Sequence, residues 1–186
     1  KRADDLVKRN FRADQPNHLW VADFTYIQTH SGWVYTAFII DVFSRAIVGW
    51  KVSTRMNTDM VLDALEQALH DRGMPKNVIH HSDRGVQYLS IRYTNRLEAA
   101  NLRASVGTTG DSYDNALAET VNGLYKTEVI EYLKADWQGL ADVQLATLNW
   151  VDWFNKKRVH SALGYVSPFE FEAMYYDKIN PLGQVA

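Results

Sequence analysis

The chain has 186 residues, of which 46% are apolar and 12% aromatic, enough to bury the core of one globular domain. Its 20 Lys and Arg residues nearly balance its 22 Asp and Glu residues, which argues against a module whose only task is to grip nucleic acid. The absence of cysteine excludes disulfides and thiolate metal sites and permits the reducing cytoplasm, where we expect the protein to act. No apolar run reaches the roughly 20 residues that span a membrane, and no signal peptide opens the chain.

Residues 1–17 are polar and mixed in charge, which predicts a linker or N-terminal arm. Because the chain begins at Lys1 rather than Met, we expect it to be a fragment of a longer protein. Residues 18–155 carry the periodic apolar patterns of a folded core. Residues 156–186 form a C-terminal extension, in which Ser167 and Pro168 predict the start of a short helix.

The predicted core opens with three strands. The segment 19–27 alternates with a period of two and places Asp23 on a largely apolar face. An acid on such a face is costly unless it is paired or binds a metal. Turns at 30–32 and at 44–45 lead into the second and third strands, which predicts an antiparallel meander.

A second aspartate, Asp41, competes with Asp23 for a functional role. If the first hairpin turns between residues 30 and 31, Asp23 faces Phe38. In the same register Asp41 faces Trp20, roughly 10 Å along the sheet from Asp23 and too far to share one metal centre. We therefore expect Asp41 to stabilise the turn that follows it.

Helices and strands alternate after the meander. This order predicts a mixed five-stranded sheet, with three antiparallel and two parallel strands, flanked by helices in an α/β, ribonuclease-H-like arrangement. The residues rich in Gly and Thr at 107–111 predict a mobile linker. The predicted helices are 59–72, capped by Asn57 or Thr58, then 90–100, 114–133 and 140–155, and the predicted strands between them are 77–82 and 103–106.

Two further acids accompany Asp23. Asp83 ends a short apolar strand and is followed by the turn Arg84-Gly85, and ligands in α/β sheets bind beyond the carboxyl ends of strands. Glu119 follows after 35 intervening residues, early in a predicted helix, on a face with Asn115, Asn122, Gly123 and Lys126.

Each acid also has an ordinary structural interpretation, as a surface aspartate or part of a solvated helix face, and His81 beside Asp83 is typical of a packed histidine. Together, three acids on separate elements predict a site for divalent metal ions. Phosphodiester chemistry uses two such ions about 3.5–4 Å apart, and carboxylates supply the hard oxygen ligands they prefer.

Five motifs carry a resemblance to one family. Over residues 18 to 172 the chain resembles the integrase-like transposases of bacterial insertion sequences, in the group named after insertion sequence three, which are kin to retroviral integrases. The motifs are Trp20 to Tyr26, Ile40 to Arg45, His81 to Tyr88, Asp114 to Glu119, and Trp153 to Asn155 with Arg158, His160, Leu163 to Tyr165 and Ser167-Pro168.

The resemblance implies that residues 18–155 are an integrase-like catalytic core and that Asp23, Asp83 and Glu119 are a DDE triad binding two Mg²⁺ or Mn²⁺ ions. It implies nicking at element ends, followed by attack of the freed 3′-hydroxyl on another phosphodiester. It also implies contacts of Gln87 and Lys126 with DNA, so element ends and target DNA are the expected partners. The family's N-terminal helix-turn-helix region is not among these residues, which leaves recognition of specific ends open.

The segment after the last core helix has two interpretations. Lys156 and Arg158 predict contacts with DNA phosphates, or an ordinary solvated helix end. Handling two element ends together predicts a homo-oligomer on DNA, for which Trp137 and Trp153 are candidate contacts unless they belong to the core.

Two rival functions stay open from the sequence. One is a ribonuclease-H-like nuclease that cuts without joining, and the other is an inactive scaffold that binds DNA or sister subunits.

Overall fold

The computed structural model describes residues 4–8, 11–83, 85–107, 116–132 and 136–180. The predicted helix start near Asp114, the position of Asn115, Arg84 in its predicted turn, and the predicted linker beyond Gly107 lie outside these residues.

The antiparallel meander is confirmed. It consists of β1 (Leu19–Thr29), β2 (Gly32–Asp41) and β3 (Ile47–Ser53). The predicted register is also confirmed, because Asp23 pairs with Phe38 and Trp20 pairs with Asp41.

Two parallel strands complete the sheet beside β1. They are β4 (Ile79–Ser82) and β5 (Arg103–Val106), and the strand order is β3-β2-β1-β4-β5. The predicted mixed five-stranded sheet is therefore confirmed. Since β4 pairs with residues 19–22 only, β1 runs on past the end of β4 and leaves Asp23 at an open edge.

The helices follow the predicted order with three short additions, one of which is the 3₁₀ turn Ser161–Leu163. Asn57 caps the first one, as its side chain accepts from the Met60 N–H at 3.1 Å. A four-residue turn after Asp83 and a π-helical segment at 126–131 were not predicted, because neither is long enough to show a period of its own. The helices are α1 (Thr58–Asp71), α2 (Val86–Leu89), α3 (Ile91–Ala99), α4 (Ala116–Tyr125), α5 (Leu140–Lys156) and α6 (Pro168–Ile179).

The sheet has a core on each face, because β1 and β2 are buried on both sides. Trp20 and Ala22 pack with α1 and α3 on one face, whereas Val21 and Phe38 pack with α4 and α5 on the other. Helix α1 lies directly against β3, since a Cβ at Gly49 would fall 2.2 Å from the Ala64 carbonyl oxygen. None of the helices in the described ranges is long and apolar enough to cross a membrane.

Asp41 belongs to a buried cluster that joins four parts of the chain, the Asp41 cluster (Asn17, Asp41, Arg72 and Glu172). The Asp41 carboxylate accepts from the Asn17 N–H at 2.7 Å and from an Arg72 N–H at 3.4 Å. Arg72 also donates through two nitrogens to Glu172 of α6, and through Nε to the Asn17 side chain at 2.8 Å. Asp41 further accepts from the Phe43 N–H at 2.9 Å, which confirms its predicted turn-stabilising role.

Candidate metal-binding site

Asp23 and Asp83 follow paired residues on neighbouring strands. Ala22 of β1 pairs with Ser82, the last residue of β4, and each acid is the next residue along the chain. Neighbouring strands lie about 4.8 Å apart. The backbones of both acids therefore lie at the open edge where β1 extends past β4.

Glu119 approaches the same edge on α4. One turn further along this helix, Asn122 donates its side-chain N–H to the Asp23 carboxylate at 3.2 Å. Residues three apart on a helix share a face, so the face that carries Glu119 is turned towards Asp23. The i+3 spacing of Asn122 was visible in the sequence, but its hydrogen bond to Asp23 was not.

The environment of Asp23 reflects this convergence. Burial raises the pKa of Asp23 to about 6, and the negative charges of Asp83 and Glu119 add to the increase, although a hydrogen bond from the Phe24 N–H opposes it. None of the ion pairs found among the described residues involves these three acids. The site therefore concentrates negative charge that a bound cation would neutralise.

The turn after β4 holds the Asp83 carboxylate close to the backbone. The Gly85 N–H donates to Asp83 at 2.8 Å, and a Cβ at Gly85 would lie 2.9 Å from the same oxygen. Glycine therefore leaves room for the carboxylate. Gln87 lies at this turn too, with its side-chain oxygen 3.5 Å from that Cβ position, so the structure brings Gln87 near Asp83.

The side chains at this edge fit Mg²⁺ or Mn²⁺. Three carboxylates supply hard oxygen ligands, and the side-chain oxygen of Asn122 is buried without a hydrogen-bond partner. Across the described ranges, no three acid or histidine side chains are close enough to bind one ion as they stand. The Asp83 carboxylate accepts from the Gly85 N–H and the Asp23 carboxylate accepts from the Asn122 amide, so hydrogen bonds hold both side chains at this edge.

The predicted DNA-binding residues fall into two groups. Lys126 lies two turns beyond Glu119, with its ammonium 5.2 Å from the centre of the Tyr26 ring. Lys156 and Arg158 lie at the far end of α5, where Lys156 pairs with Asp152 at 2.6 Å and Arg158 pairs with Glu128 at 2.6 Å. The structure thus brings Lys126 near the acids, and it places Lys156 and Arg158 in ion pairs elsewhere.

Three of the four remaining sequence candidates are packed in the core. His81 is buried, with its ring against Phe11 and its Nδ1 2.9 Å from the Ser105 hydroxyl. Burial lowers the pKa of His160 to about 4, and its ring packs on Phe154. Trp137 is also buried, whereas Trp153 remains 44% exposed.

The sheet order and the helices on both faces define a ribonuclease-H-like fold, with one acid within β1, one directly after β4 and one on the helix beside them. The chain belongs to the integrase core domain family. Two models of integrase core domains match it, at residues 13–112 and 100–168.

Several curated relatives are transposases. The chain is 56% identical over 177 residues to the transposase for insertion sequence element IS629 of Shigella sonnei, with 95% of this chain and 59% of the relative covered. It is 53% identical over 180 residues to a putative transposase for IS986/IS6110 of Mycobacterium tuberculosis, with 94% and 64% covered. It therefore spans about three fifths of the length of these relatives.

Solved integrase structures share the fold. The HTLV-2 integrase catalytic core domain in complex with magnesium superposes with a TM-score of 0.69 at 20% identity, covering 87% of this chain and 99% of that one. A chain in the structure of the simian T-cell lymphotropic virus intasome in complex with PP2A regulatory subunit B56 gamma gives a TM-score of 0.74 at 18% identity, covering 87% of this chain and 56% of that one.

Proposed function

We propose that this chain is the catalytic domain of a DNA transposase, which cleaves a phosphodiester bond with the help of divalent metal ions and then transfers the freed 3′-hydroxyl to target DNA. The observation that supports the proposal is the position of Asp23 next to the end of β4 and against α4, where burial first, and then the charges of Asp83 and Glu119, raise the pKa of Asp23. The transposase relatives support the same conclusion.

In this proposal Asp23, Asp83 and Glu119 hold two Mg²⁺ or Mn²⁺ ions. When bound, such ions activate the attacking oxygen and stabilise the leaving oxygen of an in-line displacement. Asn122 orients the Asp23 carboxylate by its hydrogen bond. Gln87 and Lys126 lie near the acids and are the side chains we assign to DNA contacts.

The chemistry exchanges one phosphorus–oxygen bond for another at each step. In the first step a water oxygen bonds to phosphorus, and the bond to the 3′-oxygen of the element end breaks and leaves a 3′-hydroxyl. In the second step that hydroxyl, as it loses its proton, attacks a phosphorus of the target strand, and the target's own 3′-oxygen leaves. No covalent bond to the protein forms.

The partners that follow are element ends and target DNA, bound by a homo-oligomer because two ends are joined in one event. Lys156 and Arg158 are weaker candidates for DNA contacts than Lys126, since their charges are already paired with Asp152 and Glu128.

The test is strand transfer by the Asp83→Asn variant. We expect nicking and joining of an oligonucleotide that carries the element's terminal sequence to fall about 10³-fold or more in Mn²⁺, with no change in the thermal unfolding curve that would indicate misfolding. The matched control is Asp63→Asn, because Asp63 is an exposed carboxylate that pairs with Lys51 on the surface. Full activity of Asp83→Asn would refute the proposal, and cutting without joining by the wild-type chain would identify a nuclease instead.

A further inference from the structure

Two large aromatic side chains lie exposed where β1 and β2 extend past the rest of the sheet. Tyr26 is 55% exposed and Trp33 is 48% exposed, and their ring centres are 5.2 Å apart with nearly perpendicular planes. Two residues back on the same face of β1, Phe24 packs near the buried Tyr88. The face therefore changes from core to surface at Tyr26, although its residues stay aromatic.

A positive charge completes this surface. The ammonium of Lys126 lies 5.2 Å from the centre of the Tyr26 ring. A contact between aromatic side chains on neighbouring strands stabilises a hairpin by roughly 0.2–1 kcal/mol, which explains why the two rings touch. It does not explain why about half of each ring is exposed or why a lysine from another element lies over one of them.

The surface lies at the open edge of β1, where the strand extends past β4. Tyr26 is three residues beyond Asp23 on β1, about 10 Å along the strand, and this odd spacing puts its side chain on the opposite face of β1 from Asp23. Lys126 follows Glu119 by seven residues, two helical turns, on the helix that crosses this edge. Since the ammonium of Lys126 reaches the Tyr26 ring from that helix, a DNA strand held at the acids would pass over the open edge of β1 to reach the two rings.

We propose that Tyr26, Trp33 and Lys126 form a platform, the Tyr26 platform, that binds unpaired nucleotides of the DNA strand held at the acids. Bases stack on the two rings, and Lys126 pairs with a phosphate. This inference rests on the proposed function and specifies the form of DNA that the site takes.

Unpaired rather than paired DNA fits this surface for a physical reason. Inside a duplex both faces of each base are covered by neighbouring bases, whereas an unpaired base has a free face that stacks on an aromatic ring without regard to sequence. The three carboxylates repel phosphates, so a cation at the rim is needed to hold the backbone close to them.

The test is the binding of a fluorescently labelled 12-nucleotide oligothymidine to the 186-residue chain, measured by anisotropy. Stacking of one base is worth about 1–3 kcal/mol, so Trp33→Ala and Tyr26→Ala should each weaken binding by roughly 5- to 150-fold. Trp33→Phe should retain most of the affinity because it keeps a ring. Trp153→Ala, which removes a tryptophan of similar exposure on α5, should bind like the wild type.

Lys126→Gln tests the charge separately. It should reduce the slope of log affinity against log salt by about 0.7, the contribution of one phosphate contact to a single strand. Equal affinities of Trp33→Ala, Tyr26→Ala and the wild type would overturn the platform. So would loss of oligomers in sedimentation of Trp33→Ala without any change in oligothymidine affinity, since that result would make the rings a contact between copies.

The test of the Tyr26 platform can fail independently of the test of the proposed function. Asp83→Asn should still bind oligothymidine, because it keeps all three platform residues. If this variant is inactive while Trp33→Ala binds normally, the platform alone is wrong. If this variant still nicks DNA while Trp33→Ala loses affinity, the platform stands and the catalytic assignment is wrong.

Discussion

Two aspartates on neighbouring strands, Asp23 and Asp41, have the same altered acidity and opposite surroundings. Burial raises the pKa of each to about 6. Asp41 is surrounded by donors, among them the Arg72 guanidinium and the Asn17 N–H. Asp23 has the Phe24 N–H and the amide of Asn122, and its charged neighbours are two more acids.

The neighbouring charges indicate different roles for the two groups of acids: the Asp41 cluster stabilises the fold, whereas the acids around Asp23 are suited to bind a cation. In the Asp41 cluster a cation from the chain itself lies between two carboxylates, Asp41 and Glu172. At Asp23 the surplus negative charge has no such cation among the described residues. Perturbed acidity alone would rank the two sites equally, and only the sign of the neighbouring charges distinguishes them.

The largest effect on stability should come from removing the cation of the Asp41 cluster. Arg72→Met keeps the volume but leaves Asp41 and Glu172 buried without their partner, so we expect the free energy of unfolding to fall by about 3–5 kcal/mol in urea titrations. Arg92→Met is the matched control, because it breaks an ion pair with Asp59 of 2.7 Å that is exposed, and should cost less than about 1 kcal/mol. Similar losses in the two variants would mean that the Asp41 cluster does not stabilise the fold.

Neutralising Asp23 should increase the free energy of unfolding, whereas removing Arg72 should decrease it. Its pKa in the folded state, about 6, lies above its ordinary value of 3.8, so the folded state binds the proton more tightly than the unfolded state does. Stability contributed by this group is therefore present below pH 4 and is lost as the pH rises through 6. We expect Asp23→Asn to be more stable than the wild type by roughly 2–3 kcal/mol at pH 7, with the difference vanishing near pH 4.

Asp41→Asn sharpens the comparison between the two acids. Asp41 accepts hydrogen bonds from several donors, and an amide would turn its own N–H groups towards some of them. This variant should therefore lose stability at pH 7, although both acids have the same raised pKa. Denaturant titrations at pH 4 and pH 7 measure the free energy of unfolding of both variants. A gain of stability in Asp41→Asn would mean that Asp41 and Asp23 do not differ in their contribution to the fold.

The smallest expected change in stability is the one caused by Mg²⁺ binding. If Mg²⁺ binds with a dissociation constant of about 1 mM, then about 10 mM Mg²⁺ should stabilise the wild type by roughly 1.4 kcal/mol through mass action. The shift should weaken as the pH falls below 6, because protonation of Asp23 removes a ligand. Thermal unfolding with and without Mg²⁺ measures it. Asp23→Asn should lose the shift and Arg92→Met should keep it, and an equal shift in both would place the ion elsewhere.

The sheet could be predicted because its signals are local. Alternation along β1 and a short turn fix which residues of β1 and β2 pair, and this pairing alone separates Asp41 from Asp23. Asn57 and Ser167 likewise mark the starts of helices by hydrogen bonds to residues three positions ahead. Such features depend on a few neighbouring residues and so can be inferred from sequence.

The partners of charged side chains could not be predicted in the same way. Arg72 and Glu172 are 100 positions apart, and Glu128 and Arg158 are 30 apart with α5 between them. Nothing in the local sequence of Arg158 distinguishes a residue paired with Glu128 from one that contacts a phosphate. The hydrogen bond from Asn122 to Asp23 spans 99 positions and depends equally on how α4 packs on β1.

The Asp41 cluster also joins the last described helix to the start of the sheet. Asn17 lies just before β1 and Glu172 lies in α6, and Arg72 contacts both of them. Detachment of α6 would therefore leave the Arg72 guanidinium and the Asp41 carboxylate without part of their cluster, so the amides of α6 and of the segment before β1 should exchange their hydrogens in one cooperative opening.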